Sequence, residues 1–359
     1  MEKMKLEEAI IILPKSKIKA GDGKKEGKYL LYRSSNKLDT YYNEYIIDTE
    51  VIIIGTGGNP SIHYNIGKCA YTTQCLAITS KGTLKNKYIY YYLLSQLDRI
   101  QNMFRGMTIK QLDKKEFFKI DIPIIEVDIQ DKIIKNLDII TNNIQSKKEQ
   151  LKKLEQLVKS QFVEMFGNGN YPQIRLQEVL NQNDNMEKVE NTKIEKFITV
   201  GINGKGARER IIKDGKWPVP FVGYRVKGGQ FIYSRIDARN GAFAIIPNSL
   251  NNAVVSKDFP IFDIDNNKIR TDILLYSLLE KSFIDIIKNS SFGATNRQRI
   301  KEGTFLNYKI YLPPIDLQNK FAEIVKQIDK QKFEIEKSLK ETQELYESLM
   351  DEYFKGEKR

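Results

Sequence analysis

From residue 128 to residue 167 the apolar positions fall at Ile133, Leu137, Ile140, Ile144, Leu151, Leu154, Val158 and Met165, on a ladder of three and four. Lys147 and Gln161 fill the slots that would complete the series, and Phe162 lies beside the seam. So narrow a stripe is the seam of a coiled coil with polar interruptions, not the broad face of a core helix. At 1.5 Å per residue it predicts a helix roughly 50–60 Å long. Gly167, Gly169 and Pro172 supply its stop. From 317 to 354 the pattern returns at Phe321, Val325, Ile328, Ile335, Leu339, Tyr346, Leu349 and Tyr353, with Lys332 and Thr342 in the polar slots. Two matched seams predict helices that pack on each other, and the domain between them is large enough to let them run antiparallel.

The two halves share more than a period. Leu157, Ser160, Glu164 and Phe166 recur 188 positions on as Leu345, Ser348, Glu352 and Phe354. Gly106, Thr108, Gln111, Lys114 and Phe118 recur 187 positions on as Gly293, Thr295, Gln298, Lys301 and Phe305. Asp128, Gln130 and Lys132 answer Asp316, Gln318 and Lys320, and residues 121–125 are set opposite 311–315. Repetition on this scale predicts a duplicated unit.

Before the first seam, strands are expected at 29–31, 45–54 and 69–78, then a helix from 88 to 104, a basic connection over 105–119 and a short strand at 120–125. The second half is read as the same plan in longer form. It holds a glycine-rich loop at 201–206 and a segment at 217–224 where Pro218 and Pro220 rule out a central strand. A short strand at 242–246, an extended piece at 254–262 and a helix at 271–287 come next. The fold class is α+β, with two homologous domains, each followed by a long helix, the helices forming an antiparallel coiled coil. The boundaries are 1–127, 128–167, 168–315 and 316–355.

Composition narrows the partners. The 359 residues carry a formal charge of +12, which favours a polyanionic partner over an acidic surface. Only Cys69, Cys75 and His63 could offer soft ligands, too few for a zinc site without carboxylates. Both cysteines read as reduced, and His63 as a surface or packing residue. The apolar run near residue 10 is too short for a signal sequence and no segment is long enough to span a bilayer, so a cytoplasmic protein without a membrane partner is expected.

Catalytic chemistry is hard to find. Residues 21–28 have the wrong spacing for a phosphate-binding loop, Pro60 breaks the segment after Gly55–Gly58, and residues 201–206 are equally unspecific. Asp121, Glu126 and Asp128 sit where a strand enters the long helix, and the second half has no match for Glu126, so structural roles outweigh a metal centre.

The alternation of domain and long helix resembles the DNA-specificity subunit of Type I restriction–modification enzymes, over essentially the whole chain. The resemblance is carried by Gly106–Gln111 and 293–298, by 312–318 (Leu-Pro-Pro-x-x-x-Gln), by Ile54-Gly55-Thr56-Gly57 and by its looser counterpart Tyr233-Ser234-Arg235. The first half departs from the proline run as Ile122-Pro-Ile-Ile-Glu-Val-Asp-Ile-Gln130. Such a resemblance implies a non-catalytic subunit whose two target-recognition domains each read half of a bipartite double-stranded DNA site. It implies that the helices set the gap and dock two methyltransferase subunits, with restriction subunits joining them. No cofactor is expected in this chain; S-adenosylmethionine, ATP and Mg belong to the partners. The alternative is a coiled-coil scaffold, or an orphan DNA-binding protein without restriction partners.

On that reading the DNA-contacting candidates are residues that can address base edges or phosphates. In the first domain these are Arg33, Ser35, Asn36, Gly57, Asn59, Thr72, Thr73, Arg105 and Lys110. In the second they are Lys205, Arg208, Arg235, Arg239, Asn296, Arg297 and Arg299, with Arg210 and Arg225 further choices.

Overall fold

The computed structural model describes residues 2–108, 110–167, 170–212, 215–290 and 299–354. It divides into two units, Met1–Glu149 with Glu336–Arg359, and Gln150–Ile335.

In the first unit the opening strand Lys3–Lys5 pairs antiparallel with Asp121–Pro123. A four-stranded antiparallel sheet is ordered Ile10–Ile12, Cys75–Ser80, Val51–Gly55, Ile62–Asn65. Val51–Gly55 is buried throughout. Ile52 and Ile54 join a core with Leu6, Tyr88, Ile89, Ile133 and Leu137, while Val51 and Ile53 join a second with Tyr32, Cys69 and Tyr71. Burial on both faces is why this strand shows no alternation. Beside it lies a second sheet, ordered Tyr41–Tyr42, Tyr29–Tyr32, Lys68–Tyr71, Ile47–Asp48.

Several expected elements prove to be two. The 45–54 strand breaks after Asp48, so that Ile47–Asp48 serves one sheet and Val51–Gly55 the other. The 69–78 strand breaks at a turn, where the Thr72 amide donates to the Tyr32 carbonyl (3.0 Å) and the Cys75 amide to the Thr72 carbonyl (3.0 Å). The 88–104 helix is Asn86–Ser95 and Leu97–Gln101, divided at Gln96. The 105–119 connection holds a hairpin, Phe104–Arg105 with Gln111–Leu112, and the helix Lys114–Phe118. Asp113 caps that helix by accepting from the Lys115 and Glu116 amides.

The second unit repeats the plan. Gln173–Arg175 pairs with Lys309–Tyr311, and a four-stranded sheet is ordered Leu180–Gln182, Ile261–Ile264, Phe231–Tyr233, Phe243–Ile245. Asp121–Pro123 thus corresponds to Lys309–Tyr311, two residues from the pairing of 121–125 with 311–315. Where the first sheet gives its core Ile52, Ile54, Leu76 and Ile78, this one stacks Phe231, Tyr233, Phe243 and Phe262 with Phe305, the Tyr233 and Phe305 centroids 4.4 Å apart. A three-stranded sheet places Phe221–Arg225 between Met186–Val189 and Val254–Ser256. The prolines do not prevent this, because Pro218 and Pro220 lie in the lead-in and every paired amide comes after them. The 271–287 helix is again two, Thr271–Leu279 and Lys281–Ser290, parted by extended backbone at Glu280.

The long helices run Val127–Phe166 and Ile315–Phe354. Within the first unit Asn136 Nδ2 donates to Tyr353 Oη (2.9 Å) and Lys147 Nζ to Thr342 Oγ1 (2.6 Å). Partners advance along one helix as they retreat along the other, so the pair is antiparallel. Within the second unit Phe162 meets Phe321 edge to face at 5.4 Å, in one core with Val158, Val325 and Ile328.

Each helix is tied to its domain by a buried glutamine. Gln130 Oε1 accepts from the Lys85 amide (2.7 Å) and Nε2 donates to the Ile125 carbonyl (2.9 Å). Gln318 Oε1 accepts from the Arg270 amide (2.9 Å) and Nε2 donates to the Lys268 and Pro313 carbonyls (3.1 and 2.8 Å). Lys85 and Arg270 are the N-cap residues of Asn86–Ser95 and Thr271–Leu279, so each glutamine satisfies an amide at the entry to a helix.

Candidate nucleic-acid interface

Three loops meet in the same way in both domains. Beyond Val51–Gly55, the Thr56 amide donates to the Gln74 carbonyl (2.8 Å) and its carbonyl accepts from the Leu112 amide (2.9 Å). Beyond Phe231–Tyr233, the Arg235 amide donates to the Asp258 carbonyl (3.0 Å) and its carbonyl accepts from the Ile300 amide (3.0 Å). Thr56 and Arg235 therefore hold equivalent places, matching Ile54-Gly55-Thr56 with Tyr233-Ser234-Arg235. Backbone bonds fix this junction, so its side chains can change from domain to domain without changing its shape.

In the first domain the junction gathers many of the candidate residues. Ser34 Oγ donates to the Gly57 carbonyl (2.5 Å) and accepts from the Gly57 amide (3.0 Å). At Gly55 an added Cβ would lie 2.2 Å from Ser61 Oγ and 2.6 Å from Ser34 Oγ, so only glycine lets these loops close. The Gly58 amide, at φ +78°, donates to the Lys110 carbonyl (2.8 Å). The 33–36, 56–59, 72–74 and 110–112 segments thus form one loop cluster.

The candidates in it differ in freedom. Asn36, Asn59, Arg105 and Lys110 are exposed, although Arg105 pairs with Asp113 (3.6 Å), and Gly57 has open space above it. Arg33 donates to Asp39 (2.8 Å), whose carboxyl is held below the usual range by the Thr40 hydroxyl and by the guanidinium. The Ser35 carbonyl lies 2.8 Å from His63 Nε2. Thr73 gives its amide to the Ile18 carbonyl. Thr72 is buried, with its hydroxyl 3.7 Å from Cys75 Sγ, and braces the turn. Ser34 and Thr56 were not among the candidates, although Ser34 lies in the polar run that supplied three of them.

In the second domain the candidates divide. Ile198–Val200 and Ala207–Glu209 form a hairpin whose tip carries Lys205, with positive φ at Asn203, Gly204 and Gly206. The tip docks on the 238–241 turn, the Asn203 amide donating to the Asn240 carbonyl (2.7 Å) and the Gly204 amide to the Gly241 carbonyl (2.9 Å). Lys205, Arg208 and Arg210 are exposed, and Arg239 sits in the turn that receives the tip. Arg235 is paired with Glu302, and Arg299 donates to Asp258 (3.3 Å). Arg225 bridges Glu187 (2.6 Å) and Glu195 (2.8 Å), holding the Glu195 carboxyl below its usual range. Asn296 and Arg297, with Gly293, Thr295 and Gln298, lie outside the described residues.

Among the described residues no three His, Cys, Asp or Glu side chains converge on a metal position. Asp121, considered as a metal ligand on sequence grounds, is ion-paired to Lys5 at 2.5 Å, which lowers its pKa. Burial pushes the Cys69 thiol up to about 12, so it is no thiolate at neutral pH. No described helix is long and apolar enough to cross a membrane.

Comparison with known proteins places this architecture. The family model described as "Type I restriction modification DNA specificity domain" matches residues 1–156 and again 159–345. The type I restriction enzyme EcoDI specificity subunit of Escherichia coli is 24% identical over 151 residues, 42% of this chain and 33% of that protein. A Haemophilus influenzae protein described as a type I restriction enzyme specificity subunit is 27% identical over 115 residues, 31% of this chain and 29% of that one. Each match spans about a third of the curated relative's length. In fold, the S subunit of a type I restriction–modification system from M. genitalium superposes with a TM-score of 0.61 at 16% identity, covering 97% of this chain and 94% of that one. A chain from a structure of type I R-M complex assembly and conformational transition superposes with a TM-score of 0.53 at 14% identity, covering 99% and 97%. With one family model matching both halves, and with one sheet order and one loop junction repeated between them, the chain belongs to the type I restriction–modification DNA specificity family.

Proposed function

We propose that this chain is the sequence-reading, non-catalytic subunit of a type I restriction–modification complex. Residues 1–127 and 168–315 each read one half of a bipartite duplex target. The helical segments 128–167 and 316–355 set the gap between the half-sites and dock two adenine methyltransferase subunits, which restriction subunits join. S-adenosylmethionine, ATP and Mg act in those partners. The observation that carries this reading is the junction built twice, around Thr56 and around Arg235, by the same backbone hydrogen bonds. A fixed frame with interchangeable side chains is what two readers of unlike half-sites require.

Among the candidates, the exposed Asn36, Asn59, Arg105 and Lys110 of the first domain and Lys205 and Arg208 of the second are best placed to meet DNA. Arg33, Arg235 and Arg299 have carboxylate partners and serve first to hold loops; Arg105 also pairs with Asp113 (3.6 Å) but keeps a largely exposed side chain. The test is to map methylated adenines in cells carrying this chain and its partner subunits, then to replace residues 1–127 with the matching domain of a relative. One half-site should change while the other and the gap stay constant. A chimera that alters both half-sites, or neither, overturns the assignment.

A further inference from the structure

The Gly-x-Thr-x-x-Gln segment occurs in both halves with its named residues kept and the others changed, Met107 standing against Ala294 and Lys110 against Arg297. The second copy lies outside the described residues; the first forms the tip of the hairpin that pairs Phe104–Arg105 with Gln111–Leu112. Phe104 and Leu112 are buried and root the hairpin in the core, while Arg105 and Gln111, partners across it, are exposed. The returning strand is fastened to the junction. The Leu112 amide donates to the Thr56 carbonyl (2.9 Å), the Lys110 carbonyl accepts from the Gly58 amide (2.8 Å), and Gln111 forms an antiparallel bridge with Gly57. Met107, at the tip, is fully exposed, more so than any other large apolar side chain among the described residues. One exposed apolar side chain is ordinary in itself. This one stands on a frame that the repeat keeps, at a position where the repeat varies, on a hairpin bonded to the loop cluster of the candidate interface.

We propose that Met107 is a specificity-determining residue of the first domain and packs on a thymine methyl in the major groove of its half-site, a reading that rests on the proposed DNA-reading function. A two-stranded ribbon fits that groove, which is about 12 Å wide, and the thymine 5-methyl is the apolar group that a base edge presents there. The unbranched thioether chain of methionine adapts to an apolar contact without demanding one rotamer. Glycine, threonine and glutamine keep the shape of the tip in both halves, and the residue after the glycine sets the base feature that each domain prefers. Lys110, exposed on the same tip, supplies a cation for the neighbouring phosphates.

The test uses the full chain assembled with its partner subunits, and synthetic duplexes carrying the two half-sites that methylation mapping defines. Every thymine of the first half-site is replaced by deoxyuridine, which removes only the methyl groups, and in a separate duplex every thymine of the second. Wild type should bind the first deoxyuridine duplex about fourfold more weakly, the effect of withdrawing one methyl from apolar contact. Met107→Ser should bind the thymine and deoxyuridine forms of the first half-site equally, with unchanged thermal unfolding because the side chain is fully exposed. Replacement in the second half-site should affect both proteins alike. If wild type shows no penalty in the first half-site, if Met107→Ser keeps that penalty, or if the half-site contains no thymine, the thymine assignment falls while the DNA reading stands. If no bipartite target can be mapped, or wild type does not distinguish it from random duplex, the DNA reading falls and this inference with it.

Discussion

Lys147 donates through Nζ to Thr342 Oγ1 at 2.6 Å, so the polar residue that interrupts one seam meets the polar residue that interrupts the other. Lys147 also donates to the Ser338 carbonyl (3.1 Å), and the Thr342 hydroxyl donates to the same carbonyl (2.7 Å). A polar match in an apolar seam costs stability but penalises every register that separates the pair. Thr342→Val should therefore cost about 1 kcal/mol, and Lys147→Leu/Thr342→Val should recover most of it. A double-mutant cycle from denaturant unfolding checks this, with an expected coupling of about 1 kcal/mol. Additivity within about 0.3 kcal/mol would mean the pair does not set register.

Gln130 and Gln318 make a second prediction, local to each domain. Both are essentially inaccessible, at 0% and 1% exposure, and each answers one backbone amide and two or more carbonyls. Gln318→Leu would leave the Arg270 amide without its acceptor, at a cost of about 1–3 kcal/mol. Hydrogen exchange should find the Arg270 amide deprotected in Gln318→Leu and the Lys85 amide deprotected in Gln130→Leu. Unchanged protection in either variant would show that another acceptor replaces the glutamine.

How much of this was legible in the sequence depends on how far each signal reaches along the chain. The seams are regular over forty residues in each helix, and the duplicated Gly-x-Thr-x-x-Gln and Gln130/Gln318 positions could be aligned by counting. Strand breaks were not legible, because Thr72, Thr73 and Gln74 are a short polar patch inside a longer apolar run with no glycine or proline to mark a turn. The turn they form depends on the Thr72 amide reaching Tyr32, a partner far along the chain. Ile62–Asn65 was missed for a related reason. Ile62, His63, Tyr64 and Asn65 do alternate, but over only four residues, of which Ile62 alone is fully buried. At the candidate interface, sequence could propose Arg235 as a reader but could not show that Glu302 folds back against it.

The sole histidine gives a pH prediction with a definite sign. Burial lowers the His63 pKa from 6.5, so the fold favours the neutral ring, set beside Ser35 and Tyr32. Above the unfolded value of 6.5 both states are neutral and the stabilisation is complete. As pH falls below it, the unfolded chain takes a proton that the folded chain resists, and stability is lost down to the folded pKa. His63→Asn should remove this part of the slope, measured as urea unfolding between about pH 7.5 and about pH 5.5. Half-buried Asp272 and Glu280 have raised pKa values and act in the opposite sense, but both remain in the variant and cancel in the comparison. Equal slopes in the two proteins would show that His63 does not contribute.

Arg235 and Arg208 should respond oppositely to truncation, although both belong to the second domain and both carry a guanidinium. The Arg235 side chain is 21% exposed and is paired with Glu302, which is 13% exposed. Its neighbour in the sheet, Tyr233, hydrogen-bonds the Ile300 carbonyl in the same junction (3.0 Å). Arg235→Ala strands a mostly buried carboxylate and should cost about 3 kcal/mol, much of which Arg235→Ala/Glu302→Leu should restore. Arg208 stands exposed on the hairpin, so Arg208→Ala should leave unfolding within about 0.5 kcal/mol of wild type. Its effect should instead fall on DNA. Loss of a base contact would relax the second half-site by about 1–3 kcal/mol, whereas loss of a phosphate contact would weaken all sequences alike. Unfolding of both variants, with competition binding against duplexes altered in one half-site at a time, separates the two roles. A stable Arg235→Ala with relaxed specificity would make Arg235 a reader after all and Glu302 only its resting partner.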